Sequence, residues 1–280
     1  MNRKLKSNIE VSLIYLFIGF MFVVIAYPLL WTIGLSLNPG QSLFTAKMIP
    51  ENWSFVHYKW LFTSPQSDYL LWYKNSIYVA VANSVFSVIV TAFVAYAFSR
   101  YRFKGRTYGL YAFLLLQMFP VLMGMVALYI LLFMIGLIDT LAGLTLIYIG
   151  GQIPFNAWLV KGYFDTIPKE LDEAAKMDGA GHFGVFFKIM LPLAKPILAV
   201  VALFNFMAPF TDFLLPRIIL RSPENFTLAL GLFNFVNDQF ANNFTRFAAG
   251  SILIAIPIAL VFLFLQRYLI AGLTAGGTKG

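Results

Sequence analysis

An all-α integral membrane protein with six transmembrane helices is the fold class this chain predicts, and three observations carry the prediction. The 280 residues are 60% hydrophobic and 11% charged, with a mean hydropathy of +0.79, where a globular domain carries about 25% charged residues. Six segments, 12–35, 77–98, 108–134, 141–159, 197–220 and 248–265, each offer roughly the 20 apolar residues that cross ~30 Å of hydrocarbon. No stretch between them is long enough to form a separate soluble domain.

The elements follow in order. The opening "MNRKLKSNIEVSL" resembles the basic region of a signal peptide. The apolar run after it is far longer than the ~7 to 15 residues of a signal and lacks a small-residue cleavage site. Residues 1–11 are therefore expected to precede an uncleaved first span, with a loop over 36–76. In the second span Ser87, Thr91, Ala95 and Ser99 recur at i+4, a small-residue ridge that lets helices approach closely, within the bundle in preference to a subunit interface. The core of the chain is 77–271, and it holds the loop 160–196 between the fourth and fifth spans. A cytoplasmic amino terminus places fourteen of the 20 Lys and Arg inside: Arg3, Lys4, Lys6, the four in "SRYRFKGR", Lys161, Lys169, Lys176, Lys188, Lys195, Arg267 and Lys279. The positive-inside rule then puts both termini and the loop 160–196 in the cytoplasm. Pro28, Pro120, Gly150, Gly151, Pro154, Pro209, Pro216 and Pro257 fall within or at the edges of spans. Broken helices free backbone groups that protein or a water-filled cavity must cover, which favours a pathway over a simple anchor.

The odd segment is "KELDEAAKMDGAGHFGVFFKIMLPLAKP", 169–196, charged and helix-forming in a lipid-soluble chain. Pro168 suits a first helical turn, Glu170, Asp172 and Glu173 sit near its positive end, and Gly179 suits the left-handed position that stops it. Leu171, Ala174, Ala175 and Asp178 form one narrow face of mostly small side chains, fit to press into a groove. Beyond Gly179, Phe183, Phe186, Phe187 and Met190 form an apolar face expected to bury against the spans before Pro192 and Pro196 turn the chain back into the membrane. The result is a short projecting helix on an aromatic base. A helix lying flat on the headgroups is the competing reading, against which stands the near balance of acidic and basic residues.

Glu173, Ala174, Ala175, three residues, Gly179, nine residues, then Ile189, Leu191 and Pro192 resemble the EAA motif of the permease subunits of bacterial ABC importers. "DGA" at 178–180 and "GLTAGGTKG" at 272–280 resemble the sugar branch, and within it the MalG-type permeases of maltose/maltodextrin transporters. The resemblance covers the chain from about Trp72 onward and implies a type I ABC importer permease fold. It implies that the projecting helix couples to an ATPase, with Glu173, Ala174, Ala175 and Gly179 at the contact and Asp178, Ile189, Leu191 and Pro192 completing the coupling set. It also implies the partners: a larger MalF-type second permease, an ABC ATPase dimer, an extracellular sugar-binding protein on the external loops, membrane lipid, and an oligosaccharide as substrate. No G-x-x-x-x-G-K-[ST] occurs, so no ATP site of its own is expected.

Among other sites, Asp212 is the one acidic residue deep in an expected span, a candidate for pathway lining because a carboxylate in lipid costs ~2.5 to 3.5 kcal/mol. Gln117, Gln152, Asn156 and Asn205 are further candidates, with Trp158 or a nearby Phe as stacking faces for a sugar; helix-to-helix hydrogen bonding is their commoner use. The tail residues Gly272, Leu273, Thr274, Gly276 and Gly277 read as a contact segment that, fully extended, reaches about 30 Å at ~3.3 Å per residue. Residues 221–246 are expected to pack at the outer membrane face. With no cysteine and two distant histidines, His57 and His182, neither a disulfide nor a metal or other cofactor is expected. The net charge of +8 reflects span-flanking residues in preference to nucleic acid. An ion-gradient-driven secondary transporter is the competing function; the shortage of intramembrane ionisable groups and of a repeat between the halves weighs against it.

Overall fold

The computed structural model describes residues 3–41, 48–237 and 242–277. In chain order the helices are α1 Arg3–Ser36, α2 Val56–Thr63, α3 Tyr69–Arg100, α4 Arg106–Met118, α5 Val121–Met134, α6 Leu141–Thr166, α7 Lys169–Met177, α8 His182–Val185, α9 Leu191–Leu193, α10 Lys195–Thr211, α11 Leu214–Ile219, α12 Leu228–Phe233 and α13 Phe244–Gly277. A π-helical turn, Phe186–Met190, joins α8 to α9, and a 3-10 turn, Pro223–Asn225, precedes α12. Among the described residues there is no strand.

By length and apolarity three helices can cross a membrane: Glu10–Ser36, Tyr69–Arg100 and Phe244–Leu269. Two bent pairs, Arg106–Met118 with Met123–Met134 at 104° and His182–Leu193 with Lys195–Thr211 at 76°, raise the number to five if each is one span. The segment 141–159 lies in α6, which at 26 residues is long enough but is diluted by Gly150, Gly151, Gln152 and Asn156. The helices also depart from the expected segments at their ends. α1 begins at Arg3, α6 continues to Thr166, and α13 runs from Phe244 to Gly277 with Pro257 inside it.

Proline did not break helices wherever it occurred. Pro28, Pro154, Pro209 and Pro257 sit inside continuous helices. The interruptions in the third and fifth segments fall instead at Phe119–Pro120 and at Asp212–Phe213, and the chain also breaks at Ala194. At Pro120 the missing N–H starts α5 at no cost in hydrogen bonding.

The contact pattern divides the chain into two compact units. The first comprises 1–69 and 232–254. Between Glu10 and Ile33 no residue of α1 is buried; only its end packs, Leu35 against Ala248 and Phe244. His57 Nε2 lies 2.9 Å from Asn38 O and 3.1 Å from Gly40 O, and Thr245 Oγ1 donates to Gly40 O at 2.7 Å, so the turn after α1 is tied to α2 and to the start of α13. Arg246 lies 3.9 Å above the Trp60 ring, a cation–π contact.

The second unit comprises 70–231 and 255–280. The α3 ridge of Ser87, Thr91, Ala95 and Ser99 is buried along its length, which places it in internal packing. Ala92, Ala95 and Tyr96 of α3 close on Val160 and Phe164 of α6, on Phe186 and Met190 of the π turn, and on Val201 of α10. Small residues let these backbones meet without voids, the main source of helix association in lipid.

Candidate functional site

The nine residues of α7 are begun by Pro168 as N-cap, with φ −55° and ψ 135°, one position earlier than the first-turn place expected for it. Gly179 ends the helix at φ +84°. Its N–H bonds Lys176 O at 3.0 Å and the Ala180 N–H bonds Ala175 O at 2.9 Å, the paired bonds of a Schellman ending. The acidic Glu170 and Asp172 in the first turn and Lys176 in the last complement the helix dipole.

Of the face expected to meet a groove, Leu171, Ala174 and Asp178 are exposed, whereas Ala175 turns to the chain's own core. Glu173, Met177 and Gly179 are exposed beside them. The aromatic base differs from expectation. Phe186 and Met190 are buried, but Phe183 and Phe187 are 72% and 53% exposed. In the π turn Leu191 N–H bonds Phe186 O, one residue wider than an α-helix, because Pro192 has no N–H and its ring would clash with the Lys188 carbonyl. Ile189 and Leu191 are half-buried and Pro192 is exposed. Ala194, fully buried, carries the 76° turn into α10.

Sequence reasoning missed the anchor of α7. Asp172 is buried and pairs with Arg100 at the end of α3, Nε to Oδ2 at 2.5 Å, with each side chain 7% exposed. The Arg100 guanidinium also donates to Phe164 O at 3.0 Å and Ile167 O at 2.9 Å, the last carbonyls of α6, and to Ser99 Oγ at 3.3 Å. Ser99 Oγ donates to Asp165 Oδ1 at 2.7 Å, and Lys161 pairs with the other oxygen, Asp165 Oδ2, at 2.5 Å. Arg106, opening α4, donates from Nε to Phe98 O at 2.6 Å. The available signal was a run of basic residues directly after an apolar helix, which charge counting assigns to topology alone.

The remaining candidates separate. Asn156 and Asn205 are buried and joined, Asn156 Nδ2 donating to Asn205 Oδ1 at 3.3 Å, while Asn83 Nδ2 donates to Asn205 O at 2.7 Å, so α3, α6 and α10 meet at one residue. Gln117 donates to Gly151 O at 3.3 Å on an exposed face of α4 and α6, and Gln152 is half-buried next to it. Phe155 and Trp158 of α6 are 52% and 47% exposed. Asp212 caps α11, accepting from Leu214 N–H at 2.9 Å and from the Tyr148 hydroxyl at 3.0 Å. The tail residues Gly272, Leu273, Thr274, Gly276 and Gly277 lie in α13, in place of the extended chain expected; their side chains, and residues 278–280, lie outside the described residues.

A second polar cluster stands in the loop after α5. Asp139, at φ +56°, accepts from the N–H groups of Arg221 and Ser222 at 2.8 and 3.1 Å and from Ser222 Oγ at 2.5 Å. Burial pushes its carboxyl up, but the donors outweigh burial and hold it below the usual carboxylate value. Trp72 and Asn75 tie the same segment to α3 through Pro223 O at 3.0 Å and Glu224 O at 2.8 Å.

Residues 87–274 match the family described as "Binding-protein-dependent transport system inner membrane component". The chain is 50% identical to the galactooligosaccharides transport system permease protein GanQ of Bacillus subtilis (strain 168), over 99% of this chain and 98% of that protein. It is 47% identical to the maltodextrin transport system permease protein MdxG of the same strain, over 95% of each. To the maltose/maltodextrin transport system permease protein MalG of Escherichia coli (strain K12) it is 38% identical, over 100% and 98%. A subunit of a bacterial ABC transporter that imports the acidic polysaccharide alginate superposes with a TM-score of 0.78 at 24% identity, over 96% of this chain and 98% of that one, which shows a shared fold. The chain therefore belongs to the binding-protein-dependent transport system inner membrane component family, as a membrane-embedded transport subunit and not an enzyme.

Proposed function

We propose that this chain forms half of the translocation pathway of an ATP-driven oligosaccharide importer and couples to its ATPase through α7. The observation that carries the proposal is the Gly-terminated α7, which presents Glu173, Ala174, Asp178 and Gly179 to the outside while Asp172 and Ala175 fix it from within. A helix whose ending is satisfied by its own backbone and whose outer face is unused by the chain is available to a partner. In this reading six spans cross the membrane with both termini cytoplasmic, Arg106–Met118 and Met123–Met134 together making one crossing and α10 contributing the fifth. α6, too polar for lipid over its whole circumference, faces the pathway with Gln152, Phe155 and Trp158, beside Gln117 of α4. A second permease of the MalF type supplies the other half, and a sugar-binding protein delivers substrate from outside. ATP-driven closure of the ATPase pair moves α7 and favours the outward-facing state, and hydrolysis resets it.

The absence of cysteine makes the test direct. A single cysteine introduced by Ala174→Cys is expected to crosslink to the co-expressed ATPase subunit, and one introduced by Phe17→Cys on α1 is not. Equal labelling of the two, or none at Ala174→Cys, contradicts the docking assignment. For the substrate, a maltodextrin is the first reading from the motif resemblance, and a galacto-oligosaccharide is the second, favoured by the likeness to GanQ. Uptake of labelled maltodextrin in competition with unlabelled galacto-oligosaccharide separates them.

A further inference from the structure

We propose that Arg100 is a positioning residue that transmits displacement of α7 to the membrane helices, by holding α3, α6, α7 and the π turn on one guanidinium. This rests on the reading of α7 as the helix that meets the ATPase, and adds how the chain carries the motion inward.

The connections on α7 are few. Among the described residues, Asp172 is the α7 side chain with a hydrogen bond or ion pair to the rest of the protein, and its partner is Arg100. Ala175 adds an apolar contact with the core, and the backbone leaves α7 through Pro168 on one side and the Gly179 turn on the other. A glycine at a left-handed turn is a compliant joint. Force on the exposed face of α7 therefore passes to the bundle through the Arg100–Asp172 pair.

What lies behind the pair is stiff. Arg100 reaches Phe164 O and Ile167 O at the end of α6, and its Nη2 lies 3.5 Å from Met190 Sδ in the π turn. Its backbone is the last residue of α3. Ser99 joins the same helix to Asp165 of α6, and Arg106 joins the start of α4 to the carbonyls of Phe98 and Ser99. A guanidinium offers planar, fixed donors for such a junction, where the lysine ammonium offers a point charge on a flexible stem.

The pair is also poorly built for stability alone. Asp172 Oδ1 is buried without a hydrogen-bond partner, so one oxygen carries the whole bond. A buried, half-satisfied carboxylate destabilises a fold and calls for a reason other than stability. A single bond also lets α7 swivel about its anchor while remaining attached, as a transmitting contact must.

The test uses the complete complex, with partner permease, ATPase and loaded binding protein, in vesicles. It compares Arg100→Lys, Asp172→Asn and the double variant with the parent. Because the outer face of α7 is unchanged, the ATPase is expected to co-purify at the parental level. Sugar taken up per ATP hydrolysed is expected to fall about tenfold in each single variant, in the range of typical coupling between sites, and to fall no further in the double variant, since the two residues act as one link. Parental uptake per ATP in both single variants overturns the proposal. So does loss of the ATPase from all three purified complexes, which assigns the pair to placing α7 and nothing more. Should Asp172→Asn fail to reach the membrane, Arg100→Lys, which keeps the charge beside Asp172, decides alone. Failure of the underlying reading is visible separately, as absence of the Ala174→Cys crosslink in the parent.

Discussion

At Gly179 a single dihedral angle, φ +84°, ends α7. A Cβ there meets nothing within 4 Å, so a side chain is opposed by the backbone conformation and not by crowding. Leucine at this position costs about 1–2 kcal/mol of strain, enough to unwind the last turn of a nine-residue helix without removing the protein from the membrane. We predict that Gly179→Leu and Glu173→Lys each insert normally but lose most of the co-purifying ATPase; wild-type yield with normal uptake contradicts the α7 assignment. Asp212 predicts the opposite behaviour. Its Oδ1 accepts from Leu214 N–H and its Oδ2 from Tyr148, and an amide keeps the Oδ1 cap, so Asp212→Asn is expected to preserve ATP-driven uptake within about twofold. Loss of transport with normal ATPase activity would revive an ion-coupled mechanism. Asp139 carries a pH dependence. Its folded value is depressed below 3.8, so its stabilising contribution is present above that ordinary value and is lost as the pH falls through the folded one. In detergent, Asp139→Ala is expected to unfold at a lower temperature than the parent at pH 7, and the gap is expected to narrow towards pH 3.

Among the elements, α6 unites the packing with the proposed pathway. One side is buried through Leu144, Tyr148, Asn156, Val160 and Phe164; the other leaves Leu146, Phe155 and Trp158 exposed. Asn156 on the buried side meets Asn205 of α10, and an interhelical bond of this kind is worth about 0.6 to 2 kcal/mol. Asn205→Leu is expected to destabilise the purified protein by about that amount, and adding Asn156→Val is expected to cost less than its separate effect, because the first change already orphans the amide. Thermal unfolding of the two single variants and the double variant checks the coupling. The elements also mark where sequence was informative. α7 was legible because its start, its acidic first turn and its Gly stop are local signals, each fixed by neighbours in the chain. The α3 ridge was legible from its spacing. The Arg100–Asp172 pair was not, since the two residues lie 72 positions apart and nothing local distinguishes a buried arginine from the topological ones beside it. Nor did composition reveal that Asn156 and Asn205 find each other, or that Pro192 widens the helix at Phe186.

On the scale of the whole molecule, the chain leaves residues 10–33 of α1 without a buried residue and one face of α6 open, as the proposed pairing with a second permease requires. Lipid suits the apolar surface of α1, and a second permease suits α6. The carboxy-terminal segment belongs to the same question. Deletion of 272–280 is expected to leave assembly intact while lowering ATPase stimulation by the loaded binding protein, and full stimulation would show that the segment is dispensable. In the proposed function, transport energy enters through α7 from a separate ATPase. The most direct test is uptake of labelled oligosaccharide into vesicles holding the assembled complex, with ATP supplied on the ATPase side and every ion gradient collapsed. Concentrative uptake that requires ATP and the binding protein, and that Glu173→Lys abolishes, is the expected result. Uptake driven by an ion gradient in the absence of ATP would contradict it.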